Sequence, residues 1–103
     1  MHEPWQRRFQ EQASWRRKLA RQYPHDDRNP AAAEILAQLA KSAARAPADV
    51  LARANKLLER PHADKVLQSV MSEVGFRNYR PLSCERFLRD FISRATEGRP
   101  GHQ

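Results

Sequence analysis

One short segment carries the residue types best suited to binding chemistry. Its members are Arg77, Asn78, Tyr79 and Arg80. Together they supply two guanidinium charges, an amide that both donates and accepts, and a ring that can stack on a base. The segment also precedes the start of a predicted helix, where free backbone amides favour anions. We expect it to contact the phosphate backbone of a nucleic acid.

The helix after this segment adds two arginines to the same predicted surface. Arg86 and Arg89 project from the centre of its polar face, and we include both among the expected phosphate contacts. A second interpretation stays open for this helix. Glu85 precedes Arg89, and Asp90 precedes Arg94, at the i, i+4 spacing that allows ion pairs along a helix. Its arginines would then serve only as partners for those carboxylates.

A second group of cations lies near the other end of the chain. Arg17, Lys18 and Arg21 fall opposite a broad apolar arc when residues 4–22 are placed on a helix. That arc contains Trp5, Phe9, Ala13, Trp15, Leu19, Ala20 and Tyr23, and it also contains Arg8, Gln12 and Arg16. Because of these polar interruptions, the arc resembles that of a helix docked along an edge more than that of a core helix, and a loosely docked arm is one alternative. An ordinary packed helix with a solvated basic back, a nucleic-acid-binding arm and a membrane-interface or partner helix all remain open.

The overall charge agrees with these two groups. The 103 residues include 19 Lys and Arg against 12 Asp and Glu, for a formal net charge of +7 and a pI near 10.5. Residues 26–74 are neutral in sum, so the excess comes from the two ends. Such an excess favours nucleic acid, acidic proteins or anionic membrane surfaces as partners. It does not choose among them.

Catalytic and metal chemistry have little support in the sequence. The four histidines are scattered, and with a single cysteine they offer no ligand spacing for a metal. Cys84 lies on an apolar stripe and is expected to be a packed thiol. No glycine-rich phosphate loop or nucleophile motif is present. We therefore predict a protein that is not an enzyme and needs no metal or cofactor.

The elements that must position these residues are all helical. Helices are expected over 4–22, from Pro30 to about Ala44 with Asn29 as cap, from Pro47 or Asp49 to Arg60, from Pro61 to Val74, and from Ser83 as cap to Gly98. Gly75 suits a left-handed cap. This pattern predicts an all-α fold, a compact bundle of four to five short amphipathic helices, with residues 1–98 as one domain and 99–103 as a disordered tail.

No apolar run is long enough to span a membrane, and no signal region is apparent, so we expect a cytoplasmic protein.

Two classes of function follow. The first is a small basic DNA- or RNA-binding protein, a regulator or accessory subunit of prokaryotic, plasmid or phage type. The helix expected over residues 4–22 and the 77–89 region would contact the phosphates of the nucleic acid. The alternative is a non-catalytic protein–protein interaction module, such as an adaptor, an inhibitor or a subunit of a larger complex. Its anchors would be the aromatic residues expected to be exposed, which are Trp5, Phe9, Trp15 and Tyr79. A leftover apolar face would suit a protein partner or a homodimer.

Overall fold

The computed structural model describes residues 3–76 and 78–97. These residues form five α-helices and one short 3-10 helix, with no strand among them. The helices are α1 (Glu3–Gln22), α2 (Arg28–Ser42), α3 (Ala48–Leu57), α4 (Ala63–Glu73) and α5 (Cys84–Glu97), with the 3-10 turn at Ala43–Arg45. The all-α prediction and the compact bundle are confirmed. Arg77, the expected stop at Gly98 and the expected tail lie outside the described residues.

Local sequence signals determine how α5 begins and which side it buries. The Ser83 hydroxyl accepts a hydrogen bond from the backbone amide of Arg86 at 3.2 Å, which is the predicted cap. Five residues of the predicted apolar stripe are buried and the sixth, Ala95, is partly buried; the five are Cys84, Phe87, Leu88, Phe91 and Ile92. This stripe contributes two of the four buried aromatic rings in the described part of the chain, Phe87 and Phe91.

The end of α4 depends on a glycine for two reasons. Gly75 has a φ of 98°, in the left-handed region that the sequence predicted. A Cβ added there would also lie 2.7 Å from the Cβ of Ala32 in α2. Both the turn and the close approach of α2 therefore exclude a side chain at this position.

Helix α1 is part of the core. Trp5 and Phe9 are almost completely buried, and the Trp5 indole donates to Oδ1 of Asn55 in α3 at 2.7 Å. Their rings meet α5 edge to face, Trp5 against Phe91 at 5.5 Å and Phe9 against Phe87 at 5.0 Å between centroids. The edge docking that the interrupted arc indicated was wrong, and the ordinary packed helix describes α1.

Arg16 explains how an interrupted apolar arc can still be buried. Its Nη1 donates to Oδ1 of Asn29 at 3.0 Å, and its Nη2 donates to the carbonyl oxygen of Ser72 at 3.3 Å. Ser72 lies in the last turn of α4, where unpaired carbonyls favour a cation. The charged head therefore has acceptors inside the bundle.

The expected cap at Asn29 was wrong, because Asn29 is buried within α2 and serves Arg16. Helix α2 begins at Arg28, two residues before the expected start at Pro30, and its first turn is stabilised by Asp26. The Asp26 carboxylate accepts from the Arg28 backbone amide at 3.1 Å and from the Arg28 guanidinium at 2.9 and 2.7 Å.

No helix in the described part of the chain is long and apolar enough to cross a membrane.

Candidate nucleic-acid interface

The α1 cations are exposed, as the sequence predicted. Arg17, Lys18 and Arg21 are all classed as exposed, and within residues 3–76 and 78–97 none of them forms an ion pair with a carboxylate. Because α1 is held by its buried rings, these three charges have a fixed position on the bundle. They form a cationic strip that is available to a ligand.

Two shallow grooves run along opposite sides of α2. The α1–α2 groove is lined by Arg17, Ala20, Arg21, Pro30, Ala33, Glu34 and Ala37. The second groove separates α2 from the α4–α5 connection, which comprises residues 74–83. It is lined by Glu34, Ile35, Gln38, Leu39, Ser42, Arg80, Pro81, Leu82 and Ser83. Glu34 borders both grooves, so Arg17 and Arg21 lie on one side of α2 and Arg80 lies on the other.

Two of the predicted binding residues of the α4–α5 connection are exposed and one is partly buried. Arg80 and Asn78 are exposed, whereas Arg77 lies outside the described residues. The expectation that Tyr79 has a free ring was wrong. Its ring packs against the core and its buried hydroxyl has no hydrogen-bond partner in the described part of the chain. Burial, and then the negative charge of Asp90, raise the pKa of that hydroxyl.

The α5 arginines divide into two groups. Arg86 is exposed and forms no ion pair with the described residues, so it remains a candidate contact. Arg89 pairs with Glu85 at 2.9 Å, which is the predicted helical pair.

The predicted pairing of Arg94 with Asp90 was wrong. Arg94 makes a bidentate contact with Glu73 of α4 at 2.7 and 3.1 Å. The Glu73 carboxylate on α4 accepts hydrogen bonds from both terminal nitrogens of Arg94. This bidentate geometry favours the pairing with Glu73 over a pairing with Asp90 along α5.

The aromatic anchors of the interaction-module alternative are largely lost. Trp5 and Phe9 are buried and Tyr79 is half-buried, so the expected exposure of all three was wrong. Trp15 alone remains open, with 49% of its surface exposed. Sequence reasoning missed the exposure of Phe76 and Leu82, because neither follows from helical periodicity.

Nucleophilic chemistry has no favourable arrangement at Cys84. The thiol is buried beneath the start of α5, as the apolar stripe predicted. Burial raises its pKa to about 11, so the reactive thiolate is disfavoured at neutral pH. Among the described residues, no group of His, Cys, Asp and Glu is arranged to hold a metal ion.

The described surface thus belongs to a small helical bundle that presents exposed cations around α2. Comparisons with protein-family models, curated proteins and solved structures found no match. Function is therefore inferred from the side chains of this surface alone.

Proposed function

We propose that the protein binds DNA or RNA through the phosphate backbone, in the role of a small regulator or accessory subunit. The contact surface comprises Arg17, Lys18 and Arg21 on α1, the outer side of α2, and Arg80 on the α4–α5 connection. The observation that carries this proposal is the position of Arg17, Arg21 and Arg80 on the two sides of one helix. All three are exposed and free of carboxylate partners in the described part of the chain.

Arginine suits this surface for geometric reasons. A guanidinium group offers parallel N–H donors that match two oxygens of one phosphate, whereas an ammonium group acts as a point charge. Because these arginines have no carboxylate partner, a phosphate ligand would not have to displace an existing ion pair. Exposed cations of this kind also contribute little to the stability of the fold. The competing interpretation is a basic surface that is only solvated. It predicts that the affinity for nucleic acid does not depend on which arginine is removed.

Glu34 provides an internal test of the geometry. Its carboxylate lies between Arg17 and Arg21 on one side and Arg80 on the other, since it lines both grooves. A phosphate backbone crossing α2 would pass this negative charge and be repelled by it. We therefore expect Glu34→Gln to tighten binding, while the same change at Glu59, an exposed carboxylate outside both grooves, leaves binding nearly unchanged.

The main experiment is a salt titration of binding to labelled oligonucleotides, followed by fluorescence anisotropy. Duplex DNA, single-stranded DNA and RNA are compared with the unaltered protein. Arg17→Gln, Arg21→Gln and Arg80→Gln should each weaken binding and lower the slope of log K against log salt by about one. Arg53→Gln is the matched control, because Arg53 is an exposed arginine on α3 outside both grooves.

Two results would contradict the proposal. The first is the lack of any complex with all three nucleic acids at low salt. The second is an equal loss of affinity and slope for Arg53→Gln and for the variants at the α2 surface. In that case the protein would respond only to its net charge.

A separate observation favours the interaction-module alternative as a second candidate. Leu82 is 85% exposed at the rim of the groove between α2 and the α4–α5 connection, next to Ile35 and Pro81. A protein partner or a second copy of the chain would bury it. Sedimentation equilibrium tests the second copy: association should weaken in Leu82→Ser, and a monomer at all concentrations would exclude the homodimer.

A further inference from the structure

Two exposed aromatic rings on the surface each rest on a guanidinium group. The Cζ atom of Arg16 lies 5.6 Å from the centroid of the Trp15 ring, and Cζ of Arg28 lies 5.1 Å from the centroid of the Phe76 ring. Trp15 is 49% exposed and Phe76 is 37% exposed. Each ring therefore has a cation over one face and part of its surface open to solvent. A ring held in this way loses little freedom when a second flat group stacks on it.

The supporting guanidinium groups belong to one end of the bundle. Arg16 on α1 donates to Asn29 on α2 and to the carbonyl of Ser72 near the end of α4. Arg28 begins α2 and directly precedes Asn29, the residue whose side chain accepts from Arg16. The Trp15 and Phe76 rings are thus attached to the junction of α1, α2 and α4.

The cations beside Trp15 are those of the proposed phosphate surface. Lys18 follows Trp15 by three positions and Arg21 follows Lys18 by three, so the three side chains occupy successive turns of α1. All three are exposed. The carboxylate of Glu11 is also one turn from Trp15, but it is outnumbered by the two cations on the other side. A ring and two cations in a row offer one contact to a base and two to phosphates.

We propose that this end of the bundle binds single-stranded nucleic acid, with bases stacking on the exposed rings of Trp15 and Phe76 and phosphates held by Lys18 and Arg21. This inference rests on the proposed function and narrows it. In a duplex the faces of the bases are already covered by their neighbours, so an external ring has no base to stack on. In a single strand the bases can turn outward and stack on an aromatic side chain, whatever their sequence.

Intrinsic fluorescence provides a direct measurement, because the chain has two tryptophans and only one is accessible. Trp5 is 1% exposed and its indole is bonded to Asn55, whereas Trp15 is open to solvent. Titration of the unaltered protein with a twelve-nucleotide oligothymidylate should quench the Trp15 emission. A duplex of the same length, at the same salt concentration, should bind through phosphates without quenching it.

Variants separate stacking from charge. Trp15→Ala should weaken binding to the oligothymidylate by about tenfold, which is typical of one lost base stack, and leave duplex binding unchanged. Trp15→Phe should restore most of the affinity, since the ring is what matters. Phe76→Ala should act like Trp15→Ala. Tyr23→Ala is the control, because Tyr23 is 59% exposed but has neither Arg16 nor Arg28 against its ring.

The outcomes distinguish this inference from the proposed function. Equal binding of single strand and duplex, with no quenching, overturns the stacking inference and leaves phosphate binding in place. No binding of either nucleic acid overturns both. Polyglutamate is titrated in parallel as a probe for an acidic protein partner. Quenching by polyglutamate but not by the oligothymidylate would assign this surface to such a partner and overturn the inference.

Discussion

Helices α1 and α5 are built alike and differ in what their cations do. Both bury an aromatic stripe, and the stripes face each other through the Trp5–Phe91 and Phe9–Phe87 pairs. On α5, Arg89 and Arg94 are each paired with a carboxylate. Arg17, Lys18 and Arg21 on α1 have no such partner within the described residues. Two helices that both bury aromatic rings therefore present different electrostatic surfaces, because α1 has six cations against two acids whereas α5 has three of each.

The largest expected effect tests whether α1 belongs to the core as fully as α5 does. Phe9→Ala and Phe87→Ala should each lower the free energy of unfolding by about 3–5 kcal/mol, since both rings are fully buried and pack on one another. Urea unfolding followed by circular dichroism measures the loss. Trp15→Ala is the exposed control and should change stability by about 0.5 kcal/mol or less.

If Phe9→Ala lowers the free energy of unfolding much less than Phe87→Ala does, α1 is not part of the core to the same degree as α5. That result would mean that α1 can leave the bundle at little cost, and the alternative of a loosely docked arm would be favoured. The proposed fixed position of Arg17, Lys18 and Arg21 would then lose its support.

An intermediate effect contrasts a buried arginine on α1 with a paired arginine on α5. Arg16→Met should lower the free energy of unfolding by about 2 kcal/mol. The side-chain oxygen of buried Asn29 would lose its charged hydrogen-bond donor. Arg94→Met removes a partly exposed ion pair and should cost less than about 1 kcal/mol. Chemical denaturation of both variants gives the comparison.

The double variant Arg16→Met with Asn29→Leu should recover part of the loss, since no unsatisfied amide remains. A neutral or stabilising Arg16→Met would contradict the prediction. It would show that removing this guanidinium from water costs as much as its hydrogen bonds contribute.

The smallest effect concerns the ion pair at the start of α2. Hydrogen bonds from Arg28 lower the pKa of the Asp26 carboxyl from 3.8 to about 2. Because the pKa is lower in the folded state, the pair stabilises the fold above about pH 3.8, and this contribution is lost as the pH falls towards 2. The carboxyl carbon resonance of Asp26, followed by NMR, should titrate near pH 2. In Arg28→Gln the midpoint should return towards 3.8, and an unchanged midpoint would contradict the assigned cause.

Features determined by neighbouring residues in the sequence were predictable. The stripe of α5, the cap at Ser83, the left-handed Gly75 and the buried Cys84 all follow from spacing within one or two helical turns. The exposure of Arg17, Lys18 and Arg21 follows in the same way, since they lie opposite the apolar arc. These parts of the fold and of the candidate site need no knowledge of distant contacts.

Features determined by distant partners were not predictable. Arg16 counted against a buried α1, but its acceptors Asn29 and Ser72 lie on other helices. Arg94 had an acid at helical spacing, yet Glu73 on α4 offered better geometry. Tyr79 lies in a connection, where no periodicity indicates whether a ring points inward. A helical wheel describes one helix and omits the side chains that the bundle brings to it.

The pairing of α1 with α5 also affects how the chain folds during its synthesis. Trp5 and Phe9 leave the ribosome well before Phe87 and Phe91, because α2, α3 and α4 are translated between the two pairs of rings. A nascent chain that has not yet reached α5 therefore carries two large rings without these partners. Contacts so far apart in the chain slow folding and leave apolar surface open to chaperones and to aggregation in the meantime.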